Sequence, residues 1–147
     1  MSRETVGRAM EILLVEDDLE DARMTIEALE QGDVKCRVSL VRDGEEAMTF
    51  LRREGVFRRA PRPDLILLDM QLPKLDGREV LTEIRADEKL QGIPVVVLTA
   101  SQVHRAILTG QGLRVDGFMT KPVSWDQFLG AVKTLRRDWL DEVILPE

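Results

Sequence analysis

Leu65-Ile66-Leu67-Leu68-Asp69-Met70 is the stretch whose reading decides the fold. Uninterrupted aliphatic side chains run into one carboxylate, and Gln71-Leu72-Pro73 then breaks the pattern. A short apolar run bounded by breakers reads as a strand buried on both faces. Pro63 before it and Pro73 after it keep the run too short for a helix. Asp69 therefore stands at the carboxyl end of a buried strand. In an open parallel sheet that is the edge where ligands bind.

The same pattern recurs on either side. Glu11-Ile12-Leu13-Leu14-Val15 runs into Glu16-Asp17-Asp18, and Pro94-Val95-Val96-Val97-Leu98-Thr99 is a further buried strand. Lys35 to Val41 reads as a strand, and Val115 to Thr120 as a short one ending at Lys121-Pro122. Helical periodicity fills the intervals. Leu19 to Gln31 places Ala22, Ile26 and Leu29 on one face and stops at Gly32; Glu45 to Arg53, with Asp43 as its cap, turns Ala47, Phe50 and Leu51 inward. Arg78 to Glu88 carries Val80, Leu81 and Ile84, and a weaker pattern spans Gln102 to Gly110. The last helix starts near Ser124 with Gln127 at capping-box spacing, and Phe128, Leu129, Val132 and Leu135 form its stripe. Glu54 to Pro63 reads as a loop. About five strands alternating with about five helices require a mainly parallel sheet covered on both faces. That topology gathers Glu16, Asp17, Asp69, Thr99 and Lys121 on one edge.

Composition narrows the function classes. The chain has 147 residues, 44% hydrophobic and 33% charged, which suits one globular domain. Net charge is −6 with basic residues scattered, so neither nucleic acid nor an anionic membrane is the expected partner. Arg52, Arg53, Arg58, Arg59 and Arg62 make the one basic cluster, interrupted by Glu54, Phe57 and prolines, and read as a solvated loop. A single cysteine, Cys36, excludes an intrachain disulfide and reads as a small core residue. No apolar signal segment opens the chain and no stretch is long enough to span a bilayer, so the expected location is cytoplasmic.

The chemistry of the edge follows from its charges. Two like charges 4 Å apart repel by about 4 kcal/mol at an effective dielectric of 20. A divalent cation relieves a carboxylate cluster, and oxygen ligands with water suit Mg²⁺ better than zinc. Asp69 can also act as a nucleophile toward phosphorus. Phosphoryl transfer needs mostly positioning and charge neutralisation. Mg²⁺, the Lys121 ammonium and the Thr99 hydroxyl would each take one phosphoryl oxygen. Singly, these groups read equally well as a helix N-terminus, a strand-end hydroxyl and a solvated lysine; together on one edge they do not.

Glu16-Asp17, Asp69, Leu72-Pro73 with Asp76-Gly77, Thr99-Ala100 and Lys121-Pro122, in this order, resemble the receiver domain of two-component response regulators. The resemblance covers Glu11 to Arg137, with residues 1–10 as an N-terminal extension and 138–147 as a C-terminal one. It implies an α/β, flavodoxin-like (βα)5 fold, a doubly wound five-stranded parallel sheet in strand order 2-1-3-4-5. It implies that Asp69 is phosphorylated by a sensor histidine kinase and that the protein catalyses nothing beyond its own phosphorylation and dephosphorylation. Glu16, Asp17, Asp69 and the Gln71 carbonyl would hold Mg²⁺, with Mn²⁺ able to substitute and Asp17 a direct ligand. Asp18 lies outside the implied ligand set. Thr99 and Lys121 would contact the phosphoryl group, Thr99 and Phe118 would switch, and Lys121-Pro122 would be a cis peptide. Phe118 stands where the family often has tyrosine, and this chain has no tyrosine.

The chain resembles most the small response regulators paired with bacterial phytochromes, through Arg42-Asp43-Gly44-Glu45-Glu46-Ala47, Pro61-Arg62-Pro63-Asp64 and Asp138-Trp139-Leu140. It reads as a stand-alone receiver. The resemblance implies a homodimer through the face made by the fourth helix, fifth strand and fifth helix together with the C-terminal extension. Trp139, Leu140, Val143, Ile144 and Leu145 supply an apolar set for such an interface. Two alternatives remain. A haloacid-dehalogenase-type Mg²⁺-dependent phosphatase would want a second aspartate where Gln71 stands, and a receiver-like scaffold without turnover would not need the full set of groups.

Overall fold

The computed structural model describes residues 8–32, 34–72, 74–99 and 112–135. The expected helix from Gln102 to Gly110, residues Pro73, Ala100 and His104, and the apolar set from Trp139 to Leu145 lie outside the described residues. The described elements are β1 (Met10–Val15), α1 (Leu19–Glu30), β2 (Cys36–Val41), α2 (Gly44–Leu51), β3 (Leu65–Asp69), α3 (Gly77–Ala86), β4 (Val95–Thr99), β5 (Gly117–Thr120) and a last helix (Trp125–Leu135). The five strands form one sheet in the order β2-β1-β3-β4-β5, every pair parallel. This is the expected topology.

Alternation along each strand splits the core into two layers. Leu13, Val15, Ile66, Leu68, Val95 and Val97 pack with Ala47, Leu51, Val80, Leu81 and Ile84 on one face. Ile12, Leu14, Leu65, Leu67, Val96 and Leu98 pack with Ala22, Leu29, Phe128 and Val132 on the other. All five residues of β3 and of β4 are buried, as central strands of a doubly covered sheet must be.

Several local readings change. Ser124 Oγ does accept the Gln127 N–H at 3.2 Å. The Gln127 side chain, however, takes the Thr120 N–H at 2.9 Å and donates to the Thr120 and Pro122 carbonyls. It fastens the β5 end rather than completing a capping box. The capping box instead opens α3, between Asp76 and Glu79. α1 ends just before Gly32 as expected, but without a left-handed cap, since the described glycines with positive φ are Gly55 and Gly112. A Cβ at Gly32 would overlap the Trp125 ring, so the glycine seats the last helix. The loop after α2 holds a short 3-10 turn, Gly55–Phe57, with Phe57 tilted against Phe50 at 5.3 Å. Within the arginine cluster, Arg52 pairs with Glu83 at 3.2 Å and Arg62 donates to the Lys89 carbonyl at 2.6 Å. Arg53, Arg58 and Arg59 are exposed.

β5 begins at Gly117, two residues after the expected Val115. Asp116 explains this, because its carboxylate takes the Val95 N–H at 2.8 Å and the Arg85 guanidinium at 2.9 Å. Arg85 also donates to the Arg114, Gln91 and Ile93 carbonyls, tying the end of α3 to the approach to β5. Cys36 is half-buried at the start of β2, and burial pushes its thiol up to about 11. A thiol so raised stays protonated and inert near neutral pH.

The seating of Trp125 predicts opposite effects for two glycines. Gly32→Ala should lower stability by about 1–3 kcal/mol, because a rigid ring meets the added methyl. Gly130→Ala, inside the last helix with open space at its Cβ position, should raise stability by about 0.5–1 kcal/mol. Urea unfolding of the two variants against wild type checks both signs.

Candidate functional site

Three parallel strands end at the same edge and deliver the charged groups. Glu16 and Asp17 follow β1, Asp69 ends β3, and Lys121 follows β5. Glu16 has no exposed surface and Asp69 is 6% exposed. Ligand oxygens of Glu16, Asp17 and Asp69 all lie within 4.8 Å of one another. The Lys121 ammonium approaches Glu16 Oε1 at 2.7 Å, Asp69 Oδ2 at 3.0 Å and Asp21 Oδ2 at 3.2 Å. Backbone groups fix the carboxylates further. The Gln71 N–H donates to Asp69 Oδ1 at 3.1 Å, and the Asp18 N–H donates to Glu16 Oε2 at 3.3 Å. Asp18 caps α1, its side chain accepting the Asp21 N–H, so the plain helix-cap reading holds for that residue. The peptide bond Lys121-Pro122 is cis.

Glu16, Asp17, Asp18, Leu19, Asp21, Arg42, Asp69, Gln71 and Lys121 line a cleft of about 520 Å³ at this edge. Thr99 is buried, at 6% exposure, and is not one of the lining residues. It pairs with Thr120 one step beyond the Asp69–Leu98 level of the sheet. Phe118 is half-buried against the layer beneath α2 and α3.

Sequence reasoning missed Asp21, Arg42 and Gln127. Asp21 lies in the first turn of α1 and lines the same cleft as Asp17. Arg42 follows β2 and donates to the Asp17 carbonyl at 3.2 Å. Gln127 fastens the backbone on both sides of Lys121. No sequence signal marks its tertiary role, because its spacing from Ser124 already has a local explanation.

The electrostatics follow from burial. Burial raises the Glu16 carboxyl to about 7, and the neighbouring Asp69 adds to the rise while Lys121 opposes it. Burial also pulls the Lys121 ammonium down, but hydrogen bonds and charge attraction from Glu16 and Asp69 outweigh it and hold the amine above the ordinary lysine value. The ammonium is therefore charged throughout the neutral range.

The donor set fits a hard divalent cation. It offers oxygens only, clustered and mostly buried, with neither His nor Cys among the ligand groups. Glu16 Oε1 is buried, and the contact described for it is the Lys121 ammonium at 2.7 Å. A single ammonium shared among several buried carboxylates leaves negative charge that a divalent cation would meet.

Comparison with known proteins agrees with this geometry. A family model described as "Response regulator receiver domain" matches residues 12–133. Response regulator Rcp1 of Synechocystis sp. is 42% identical over 135 residues, covering 92% of each chain. Its Mn²⁺-bound form superposes with a TM-score of 0.72 at 40% identity, covering 94% of this chain and 99% of that one. The bacteriophytochrome response regulator RtBRR gives a TM-score of 0.84 at 41% identity, covering 95% of this chain and 84% of that one. The phosphorylated cyanobacterial phytochrome response regulator RcpA gives 0.74 at 46% identity, covering 95% of this chain and all of that one (100%).

The raised Glu16 carboxyl sets a pH dependence. Its folded value, about 7, exceeds the ordinary 4.5, so its contribution to stability is present in acid and is lost as pH rises through about 7. In EDTA, urea unfolding between pH 5 and 8 should show stability falling, with a flatter profile for Glu16→Gln. Cation binding requires the ionised form, so Mg²⁺ affinity by calorimetry should rise over the same interval.

Proposed function

The chain belongs to the response regulator receiver family, and on that premise we propose that Asp69 accepts a phosphoryl group from the phosphohistidine of a sensor kinase. The observation that carries the proposal is a 6%-exposed carboxylate at the end of β3, 3.0 Å from a permanently charged ammonium and within a cluster of carboxylates. An Asp69 oxygen attacks phosphorus, an acyl phosphate bond forms, and the phosphorus–nitrogen bond breaks with its electron pair leaving on the imidazole. Glu16, Asp17, Asp69 and the Gln71 carbonyl would hold Mg²⁺, or Mn²⁺ in its place. The cation supplies charge neutralisation at a phosphoryl oxygen.

The chain's own groups do the rest. Lys121 turns from the Asp69 carboxylate to a second phosphoryl oxygen, a short movement for a flexible stem already at contact distance. Thr99, buried at the end of the adjacent strand, brings its hydroxyl to a third. Phe118, on β5 beside Val97, follows into the space that Thr99 leaves. It signals as an apolar ring alone, with no hydroxyl to offer.

The kinase partner is proposed to be of the phytochrome type, supported by the similarity to the bacteriophytochrome response regulator RtBRR and the phytochrome response regulator RcpA. The protein is read as a stand-alone cytoplasmic signalling protein whose only catalysis is on its own aspartate, with a homodimer as its assembly and neither nucleic acid nor membrane as partner. No described helix is long and apolar enough to cross a membrane. The dimer reading rests on the sequence of the C-terminal set Trp139, Leu140, Val143, Ile144 and Leu145. A haloacid-dehalogenase-type reaction is disfavoured by Gln71, which lines the cleft where that chemistry needs a second acid.

Intact-mass analysis after incubation with acetyl phosphate tests the proposal. Wild type should gain one phosphoryl group with Mg²⁺ and none in EDTA, and Asp69→Asn should fold normally and gain none. Labelling of Asp69→Asn equal to wild type would overturn the assignment.

A further inference from the structure

Lys121 touches carboxylates of two different kinds. Glu16 and Asp69 belong to the cluster that a cation would share, and Asp21 does not. Once Glu16 and Asp69 face a cation, and before any phosphoryl group arrives, their hold on the ammonium weakens because the cation shares their charge. Asp21 keeps its full charge. Its position is also fixed from below, since the Asp18 side chain caps the Asp21 N–H at 3.1 Å in the first turn of α1. The Asp21 carboxylate is 39% exposed and accepts from Lys121 across a sequence separation of 100 residues. No local helical requirement explains that contact.

We propose that Asp21 is a positioning residue for Lys121, holding the ammonium at the cleft, ready for a phosphoryl oxygen, when Glu16 and Asp69 turn to the cation. The proposal rests on the reading of Asp69 as phosphoryl acceptor. It gives Asp21 a role in the cation-bound state that Glu16 cannot fill. In the cation-free state the contact is redundant, because Glu16 at 2.7 Å and Asp69 at 3.0 Å already restrain the amine.

That redundancy makes the test specific. The full chain is treated with a water-soluble amine-acylating ester, and the labelling rate at Lys121 is read by peptide mass spectrometry, with Lys35 and Lys74 as internal references. In wild type, Mg²⁺ alone should leave Lys121 protected. In Asp21→Asn, the rate should change little in EDTA and rise roughly two- to fivefold on adding Mg²⁺, the range that a half-exposed ion pair is worth. Asp21→Glu should restore most of the protection. A general loosening of α1 would raise labelling equally with and without Mg²⁺, and that outcome overturns the proposal. So does a rate in Asp21→Asn equal to wild type under both conditions. Acetyl phosphate labelling of Asp69 in wild type runs alongside. Its failure would count against the acceptor reading, whereas normal labelling with an unchanged Lys121 rate would count against Asp21 alone.

Discussion

An ammonium held among carboxylates is the contact on which the rest of the structure depends. Glu16 is fully buried and Asp69 nearly so, and like charges this close repel by several kcal/mol at a protein-like dielectric, about 4 kcal/mol at 4 Å. Lys121 is the counter-ion within reach of both. It neutralises only part of the cluster, and the Glu16 carboxyl remains raised toward 7. The site thus keeps an excess of negative charge beyond what the lysine offsets, which suits a divalent cation. Receptivity to a metal and readiness of Lys121 for a phosphoryl oxygen come from the same imbalance.

The sheet makes that imbalance sustainable. β1 and β3 are neighbours in the centre of the sheet, paired from Ile12–Leu65 to Val15–Leu68, so Glu16 and Asp69 leave their strands almost side by side. Their aliphatic runs are covered by helices on both faces, and the strand ends cannot splay apart to relieve repulsion without exposing core. Lys121 reaches them from the far edge strand, and its backbone is fastened by Gln127. The last helix is in turn keyed to the end of α1 by the Trp125 ring over Gly32. α1 carries Asp21. The lysine and its outer carboxylate are thereby referenced to one another through packing and not through the pair alone.

The sequence exposed what depends on neighbours in the chain. The Leu65 to Leu68 run, the breakers around it and the carboxylate that ends it located β3 and the site. The same pattern at Ile12 to Val15 and at Val95 to Leu98 set the class of sheet. What stayed hidden depends on neighbours in space. Gln127 looked like half of a capping box because Ser124 stood three residues before it, and its true partners, Thr120 and Pro122, are set by how β5 meets the last helix. Gly32 did mark the end of α1, but nothing local showed that the Trp125 ring packs over it. Arg85 and Asp116 showed no pattern at all, yet their ion pair at 2.9 Å decides where β5 begins. Nothing local marked Asp21 as the partner of a lysine a hundred residues away.

The central claim is that Glu16, Asp17 and Asp69 share one cation while Asp21 keeps Lys121 beside it. Anomalous diffraction from crystals soaked in Mn²⁺ tests it most directly. The account predicts one strong peak among those three side chains, with the Lys121 ammonium withdrawn from Glu16 and still beside Asp21. A peak elsewhere, or a Lys121 that keeps its 2.7 Å contact with Glu16 while the metal is bound, would contradict it.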